Sequence, residues 1–163
     1  MKRIFIALPL PKELTEKILD WQKAHKDLPA QFIKEKNLHI TVIPPWRTDD
    51  INAIIAKLKT LSNQPKQINI TLTDINSQNK LQMIWAEGQT PPEILTLKTI
   101  LEETLNKQPE ARPFRLHITI ASKSETDIHE AISWTAKLDS FVLMESLLFK
   151  EGAKYLTLET FHL

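Results

Sequence analysis

One four-residue sequence occurs twice in this chain, as Leu38-His39-Ile40-Thr41 and as Leu116-His117-Ile118-Thr119. Side chains two positions apart leave a β-strand on the same face, whereas immediate neighbours leave it on opposite faces. Each histidine therefore emerges with its threonine, and the flanking apolar residues cover the other face. The repeat predicts two strands, at residues 37–43 and 115–121. The packing of a strand gives no reason for the same polar pair to occur twice. The repetition therefore points to one active site made of two halves.

The first copy lies in a strand, helix, strand, helix order that occupies the first part of the chain. An apolar run predicts a strand at residues 3–8, and a helix is expected to follow over residues 12–26. The strand with the first histidine is expected to stop at Pro44-Pro45. Asp49 or Asp50 then caps a helix in which isoleucines and leucines recur at helical spacing.

The second copy is expected to follow a similar order. Alternating apolar and polar residues predict neighbouring antiparallel strands at residues 68–73 and 82–87. Thr90-Pro91-Pro92-Glu93 combines an N-cap, a first-turn proline and a capping-box glutamate, and so predicts a helix that ends near Pro109. After the second histidine strand, Ser124-Glu125-Thr126-Asp127 predicts another helix, to about Lys137. The last predicted strands are residues 141–149 and 154–162.

This order amounts to a weak internal repeat, in which each half ends on a histidine strand followed by a helix. The pattern predicts an α+β fold with two pseudo-symmetric lobes of mainly antiparallel sheet. Helices are expected on the outer side of the lobes, and a cleft between them. We expect residues 1–163 to form a single domain made of two intertwined lobes, and the protein to be a monomer.

Composition narrows the range of functions. The chain has no cysteine, which excludes disulfides, thiolate metal sites and cysteine nucleophiles. With two glycines it has no glycine-rich phosphate loop. A net charge of +1 argues against binding of long duplexes through many phosphates. The apolar run near the N-terminus is too short for a signal peptide or a membrane span, so we expect a cytoplasmic protein without a membrane partner.

Two histidines suit phosphodiester cleavage without a metal. An ordinary imidazole titrates near pH ~6.5, so one can be neutral and accept a proton while the other is protonated and donates one. Thr41 and Thr119 can each donate a hydrogen bond to a non-bridging phosphate oxygen, where negative charge is held in the transition state. The four side chains predict a complete acid–base site with no metal and no cofactor.

The paired motifs resemble the two-histidine phosphoesterase superfamily, and within it the RNA 2′,3′-cyclic phosphodiesterases, also called 2′-5′ RNA ligase-like proteins. The resemblance covers nearly the whole chain. Besides the two motifs it includes three supporting stretches: Arg3-Ile4-Phe5-Ile6-Ala7, Ile84-Trp85-Ala86 and Arg112-Pro113-Phe114-Arg115.

This resemblance implies a bilobal fold and an enzyme that opens the 2′,3′-cyclic phosphate at an RNA end or on a nucleotide to a 2′-phosphate. It assigns His39 as the general acid that protonates the departing 3′ oxygen and His117 as the general base that activates water. Thr41 and Thr119 correspond to the phosphate-binding hydroxyls. The same chemistry with a ribose 5′-hydroxyl in place of water would give 2′-5′ RNA ligase activity.

Two positions depart from the family pattern. Relatives often continue the first motif with a phenylalanine-containing stretch, whereas this chain has Pro44-Pro45-Trp46, which makes Trp46 a candidate platform for base stacking. Relatives often carry an arginine five residues after the second histidine, where this chain has Ser122 followed by Lys123. Lys123 is a candidate phosphate-binding residue if the strand end turns suitably. Phe114 is a second candidate for the base pocket.

The remaining tryptophans and histidines are expected to be structural or surface residues, whereas three arginines stay open. Trp21, Trp85 and Trp134 fit core or half-buried positions better than base platforms, and the other histidines lack a paired threonine. Those histidines are His25, His129 and His162. Three arginines could reach the mouth of the cleft or be solvated surface charges: Arg47, Arg112 and Arg115.

Other functions remain open to the same residues. The cleft could belong to a non-catalytic module that binds RNA ends or nucleotides, which Ser122 in place of a basic residue would suit. Related substrates, such as cyclic phosphates of ADP-ribose or 3′ oligouridylate tails, are also open. A metal site is disfavoured because two histidines fall short of the three or four protein ligands that zinc normally has.

Overall fold

Two antiparallel sheets carry three helices in the computed structural model of the chain, which describes all residues from Met1 to Leu163. The helices are α1 (Lys12–Ala24), α2 (Ile51–Leu58) and α3 (Pro92–Thr104). The strands are β1 (Lys2–Pro9), β2 (Gln31–Phe32), β3 (His39–Thr48), β4 (Ile68–Gln78), β5 (Met83–Glu87), β6 (His117–Ser122), β7 (His129–Leu138), β8 (Ser140–Phe149) and β9 (Gly152–His162). A turn of 3-10 helix, Glu35–Asn37, precedes β3. None of the helices has the length and apolar character that crossing a membrane would need.

The two histidine strands lie in different sheets. One sheet has the strand order β3-β1-β8-β9 and the other has the order β2-β6-β5-β4-β7, with antiparallel pairing throughout. The first sheet unites the beginning and the end of the chain, whereas most of the second is built from the middle. The predicted α+β fold of mainly antiparallel sheets is therefore confirmed.

Both sheets bury one face in a common core. Burying that apolar area is the main stabilising contribution to the fold. Ile4, Ile6 and Leu8 of β1 belong to this core, as do Ile40 of β3 and Ile118 of β6. Helix α1 packs against β7 and α3 packs against β3. The helices and this core cover the faces opposite the histidines, so neither lies over the two motifs.

The predicted helix between Ser124 and Lys137 is wrong, because this segment forms strand β7. Burial alternates along β7, with Ile132, Trp134 and Ala136 turned inward and their neighbours turned outward. This is the two-residue period of a strand. Strand β7 completes the second sheet by pairing with β4, from Ile68 opposite Leu138 to Asn76 opposite His129. The pseudo-repeat is consequently incomplete, since no helix follows the second motif.

Proline does not end the first histidine strand as predicted. Strand β3 begins at His39 and continues through Pro44 and Pro45 to Thr48. It is the edge strand of its sheet, where proline is tolerated because one row of N–H groups has no strand partner. The pairing with β1 shifts register between Ile4 and Ile6, next to these prolines.

The helix starts were predicted with mixed success. Asp50 caps α2 as expected, because its Oδ1 accepts a hydrogen bond of 2.9 Å from the Ala53 N–H. Thr90 does not cap α3: Pro91 holds the cap position without a side-chain bond. The Thr90 hydroxyl instead accepts a 3.0 Å hydrogen bond from the Leu116 N–H. Thr90 therefore ties the start of α3 to the segment that leads into β6.

Candidate active site

Strands β3 and β6 pack against each other across the junction of the two sheets and bring both motifs to one cavity. His39 and His117 are the first residues of these strands, and both line the cavity together with Thr41 and Thr119. The cavity has a volume of about 630 Å³. Ile40 and Ile118, between each histidine and its threonine, are almost fully buried on the opposite face. The predicted sharing of one face by histidine and threonine is thus seen twice.

The same backbone contact orients the two imidazoles. His39 Nδ1 lies 2.7 Å from the carbonyl oxygen of Asn37, and His117 Nδ1 lies 2.8 Å from that of Arg115. A carbonyl oxygen only accepts hydrogen bonds, so each Nδ1 must carry a proton and donate. Each Nε2 is therefore the atom that gains and loses a proton in the cavity.

The threonines differ in their contacts. The Thr41 hydroxyl lies 2.9 Å from His39 Nε2. When His39 is neutral, this hydroxyl donates to Nε2; when His39 is protonated, Nε2 donates and the hydroxyl proton is free to bind another acceptor. Thr119 makes no side-chain hydrogen bond and is opposite Trp85 in the β5–β6 ladder. In the first motif, the direction in which the threonine hydroxyl donates therefore depends on whether its histidine is protonated.

His39 lies in an apolar enclosure. The ring of Phe5 is 5.2 Å from the imidazole between centroids, and Tyr155 meets it edge-on at 5.1 Å. This burial lowers the pKa of His39 because it disfavours the charged form, and nearby His117 lowers it further. The hydrogen bond to Asn37 acts in the opposite direction. His39 is thus held mainly neutral at pH 7.

His117 has a different set of neighbours. Its imidazole stacks on Trp85 with 3.7 Å between ring centroids and 20° between the planes. Glu87 is opposite His117 in the β5–β6 ladder and forms a 2.7 Å ion pair with Arg115. Burial again lowers the pKa of His117; the Arg115 charge also lowers it and the Glu87 charge raises it. The His117 imidazole therefore lies against the Trp85 ring and close to the ion pair of Arg115 and Glu87.

Of the three weaker site candidates from the sequence, one lines the cavity and two do not. Lys123 lines the cavity, and its φ of 51° gives the turn at the end of β6 that the sequence interpretation required. Trp46 is outside the cavity, beside a separate depression, where Lys107 Nζ lies 3.9 Å from its ring centroid. Phe114 packs against the hydrophobic core. We therefore do not retain Trp46 or Phe114 as base platforms.

The residues expected to be structural mostly are. Trp21 is buried and donates a 2.7 Å hydrogen bond to Glu130, and His25 stacks on its ring. His129 contacts Asn76 on the outside of the second sheet. Trp85 differs, because it is buried as predicted yet stacks on His117.

Sequence reasoning missed the aromatic shell of the site. Tyr155 is the only tyrosine of the chain and lines the cavity from β9, far from either motif in sequence. Phe5 reaches His39 because β1 is next to β3 in the sheet. No local pattern marks these residues, since their position depends on strand order. Trp85 could have been found from the supporting stretch around Ile84, had the pairing of β5 with β6 been inferred.

The histidines are not part of a metal-binding cluster. Nowhere in the chain do three or more histidine, aspartate or glutamate side chains come together in an arrangement suited to a metal ion.

Comparison with known proteins identifies relatives across nearly the whole chain. The family model of the 2′-5′ RNA ligase superfamily matches residues 10–146, a range that contains both histidine motifs. A curated relative, the RNA 2′,3′-cyclic phosphodiesterase of Escherichia coli (strain K12), is 26% identical over 169 residues, which cover 97% of this chain and 94% of the relative.

Solved structures share the fold. LigT of Escherichia coli complexed with 3′-AMP superimposes with a TM-score of 0.81 at 22% identity, covering 99% of this chain and 98% of that chain. TT0787 of Thermus thermophilus gives a TM-score of 0.81 at 20% identity, covering 99% and 97% of the two chains. The arrangement of the two sheets therefore belongs to a known architecture.

Proposed function

The chain belongs to the 2′-5′ RNA ligase superfamily, and from this premise we propose that it is an RNA 2′,3′-cyclic phosphodiesterase that produces a 2′-phosphate. One observation carries the proposal: both imidazoles are fixed through Nδ1 to a backbone carbonyl, which leaves two Nε2 atoms to exchange protons in a single cavity. The curated relative of that name supports the same reaction.

In the proposed reaction, a water oxygen attacks the phosphorus of the cyclic phosphate while the bond from phosphorus to the 3′ oxygen breaks. Neutral His117 takes a proton from the attacking water at Nε2. Protonated His39 gives its Nε2 proton to the departing 3′ oxygen. Each such transfer is typically worth ~10²–10⁴ in rate. The products are a 2′-phosphate and a free 3′-hydroxyl, and the histidines return to their starting states by exchange with solvent.

The other cavity groups stabilise the charge on the phosphate. The hydroxyls of Thr41 and Thr119 donate to non-bridging oxygens, where charge is held in the transition state. Protonated Nε2 of His39 can no longer accept a hydrogen bond from the Thr41 hydroxyl, so the threonine proton can turn to the phosphate while the Nε2 proton remains available for the 3′ oxygen. The ammonium group of Lys123 supplies a positive charge from the end of β6. With a ribose 5′-hydroxyl in place of water, the same steps would form a 2′-5′ linkage.

Hydrolysis of a nucleoside 2′,3′-cyclic phosphate in the presence of EDTA tests the proposal. We expect turnover to a 2′-phosphate, identified by chromatography against 2′- and 3′-phosphate standards. His39→Ala and His117→Ala should each lower kcat by about 10² or more, because each removes one proton transfer. His162→Ala is the matched control, since this exposed imidazole is at the end of β9, outside the cavity.

The competing function is a binding module for RNA ends, which the neutral Ser122 at the cavity wall favours. The same experiment separates the two. Binding of a 2′-phosphate-terminated nucleotide without any turnover by the wild-type protein would establish the module and exclude the enzyme. Turnover that survives both histidine substitutions would also contradict the proposed mechanism.

A further inference from the structure

The lining of the cavity carries a concentration of positive charge. Lys34, Lys36, Lys123 and Lys154 line the cavity, whereas Glu151 is the only acidic residue that does so. The chain as a whole has a net charge of only +1. Charge of one sign in a cleft focuses the electrostatic field and attracts ions of the opposite sign. The cavity is therefore suited to more negative charge than one cyclic phosphate carries.

These lysines are not neutralised by the protein itself. None of the four takes part in any of the ion pairs of the structure. Lys34 and Lys36 come from the segment between β2 and β3, and Lys154 comes from β9. Lys123 belongs to the phosphate site, which leaves Lys34, Lys36 and Lys154 without an assigned role.

An exposed aromatic ring lines the same cavity. Phe149, the last residue of β8, lines the cavity with 56% of its surface exposed and stacks on no other ring. The neighbouring Leu148 is 65% exposed but does not line the cavity. A single exposed ring has little meaning by itself. Together with the unpaired lysines, however, the Phe149 ring gives the combination of positive charge and a stacking surface with which proteins bind single-stranded nucleic acids.

The hairpin that carries Phe149 is held in place against the lysine segment. Gln31 donates a 3.1 Å hydrogen bond to the Glu151 carbonyl, and Asn37 donates a 2.9 Å bond to the Ala153 carbonyl. The second bond links Asn37, whose carbonyl oxygen orients His39, to strand β9 of the hairpin. The backbone of the hairpin thus keeps a defined position relative to the segment that leads into His39.

We propose that Phe149 and the lysines at 34, 36 and 154 form a subsite for the nucleotide that precedes the terminal cyclic phosphate, so that the preferred substrate is an RNA strand. This proposal rests on the proposed function. When the cyclic phosphate lies between the histidines, the 5′-phosphate of the same terminal nucleotide joins it to the preceding nucleotide of the strand. The lysines bind that linking phosphate, and the Phe149 ring stacks on the preceding base. A free nucleoside 2′,3′-cyclic phosphate has neither group.

The test compares two substrates with the same terminal base, an oligoribonucleotide ending in a 2′,3′-cyclic phosphate and the nucleoside 2′,3′-cyclic phosphate. We expect the wild-type kcat/KM to be higher for the oligonucleotide by about tenfold or more, the size of one base-stacking contact. Phe149→Ala should lower the oligonucleotide-to-nucleoside ratio by about the same factor, whereas Phe149→Tyr should retain it. Leu148→Ala is the matched control on the same hairpin.

Salt dependence tests the lysines separately. Each contact with a phosphate of a single strand contributes about 0.7 to the slope of log affinity against log salt concentration. Replacement of Lys34, Lys36 and Lys154 by alanine should reduce this slope for the oligonucleotide by about 0.7 or more. Lys150→Ala, at the tip of the hairpin and outside the cavity, should leave it unchanged.

The outcomes distinguish this inference from the proposed function. If the nucleoside is hydrolysed but the two substrates have equal kcat/KM, the subsite is refuted and the enzyme stands. If neither is hydrolysed, the enzyme is refuted, and fluorescence anisotropy of a labelled oligoribonucleotide with a 2′-phosphate end then decides the subsite. Equal binding by wild type and Phe149→Ala would refute it, and weaker binding by Phe149→Ala than by Leu148→Ala would support it.

Discussion

At the scale of single residues, the two histidines share one orientation but not one environment. His39 is enclosed by Phe5 and Tyr155, whereas His117 stacks on Trp85 near the pair of Arg115 and Glu87. Burial lowers the pKa of both, so both are mainly neutral at pH 7 in the free protein. The proposed reaction needs one of them protonated. An anionic phosphate in the cavity would supply the required stabilisation, because a nearby negative charge favours the protonated imidazole.

The pH dependence of kcat/KM follows from these lowered pKa values. The acid must be protonated, so activity falls as pH rises through its pKa; the base must be neutral, so activity falls as pH drops through its pKa. Since both values are lowered, we expect the maximum of kcat/KM below the ordinary histidine pKa of about 6.5. The profile of kcat should lie at higher pH, because it reports the substrate complex. Steady-state kinetics across pH checks this, and a kcat/KM maximum on the alkaline side of the ordinary value would contradict it.

Lys123 offers a test of charge against backbone strain. Its φ of 51° lies in the left-handed region, which costs a residue with a side chain about 1–3 kcal/mol. Lys123→Ala keeps that strain and Lys123→Gly removes it, but both remove the ammonium group. We expect both variants to raise KM for the cyclic phosphate, with the glycine variant melting at the same temperature as the alanine variant or above it. Retention of wild-type KM by either would exclude a phosphate contact; Lys123→Arg is the control that keeps the charge.

At the scale of elements, β5 determines what lies beside the second motif. Glu87 is opposite His117, and Trp85 is opposite Thr119. The strand can take this position because Gly88, immediately after it, passes close to β4. A Cβ atom built on Gly88 would lie 2.0 Å from the carbonyl oxygen of Thr71, closer than any two such atoms approach. The absence of a side chain at Gly88 is therefore a requirement of the sheet next to the site.

Gly88→Ala should consequently be destabilising. The added methyl group meets backbone rather than a flexible side chain, and overpacking of this kind costs about 1–3 kcal/mol or more. We expect a lower urea midpoint, together with a change in the fluorescence of Trp85, since β5 has to move. Gln89→Ala at the next position is the control. An unchanged midpoint would show that β4 and β5 can separate at no cost.

At the scale of the whole molecule, the two lobes are not independent. One core of 29 buried residues contains side chains from both sheets and from the helices. The chain crosses between the sheets, since β8 and β9 return to the sheet that β1 began. Neither sheet keeps its buried face covered if the other unfolds. The cavity between them is thus held by the same contacts that stabilise the fold.

We therefore expect residues 1–163 to unfold as one cooperative unit. Trp46 is on β3 in the first sheet, whereas Trp85 is on β5 in the second. Urea denaturation followed by tryptophan fluorescence and by far-ultraviolet circular dichroism should give the same midpoint, as a two-state transition requires. Trp46→Phe, which removes the reporter of the first sheet, should leave the two curves coincident. Two separated transitions would mean that the lobes are separate domains.

Sequence patterns predicted the local features of the site well and the long-range ones poorly. The shared face of His39 and Thr41 follows from strand alternation, which needs only neighbouring residues. The error at β7 came from giving a turn signature at Ser124 more weight than the two-residue period that follows it. The Ser124 hydroxyl accepts a 3.2 Å bond from the Thr126 N–H, which closes a local turn without starting a helix. The segment forms a strand because its backbone pairs with β4.

The sequence is enough to predict the α+β class, the two histidine strands and the four side chains of the two motifs. These depend on periodicity and on the chemistry of residues close together in the chain. Three contacts become visible only in the folded chain: Tyr155 and Phe5 enclose His39, Trp85 stacks on His117, and Phe149 shares a cavity with unpaired lysines. Such neighbours depend on strand order and register, which arise from pairing between segments that are distant in the chain.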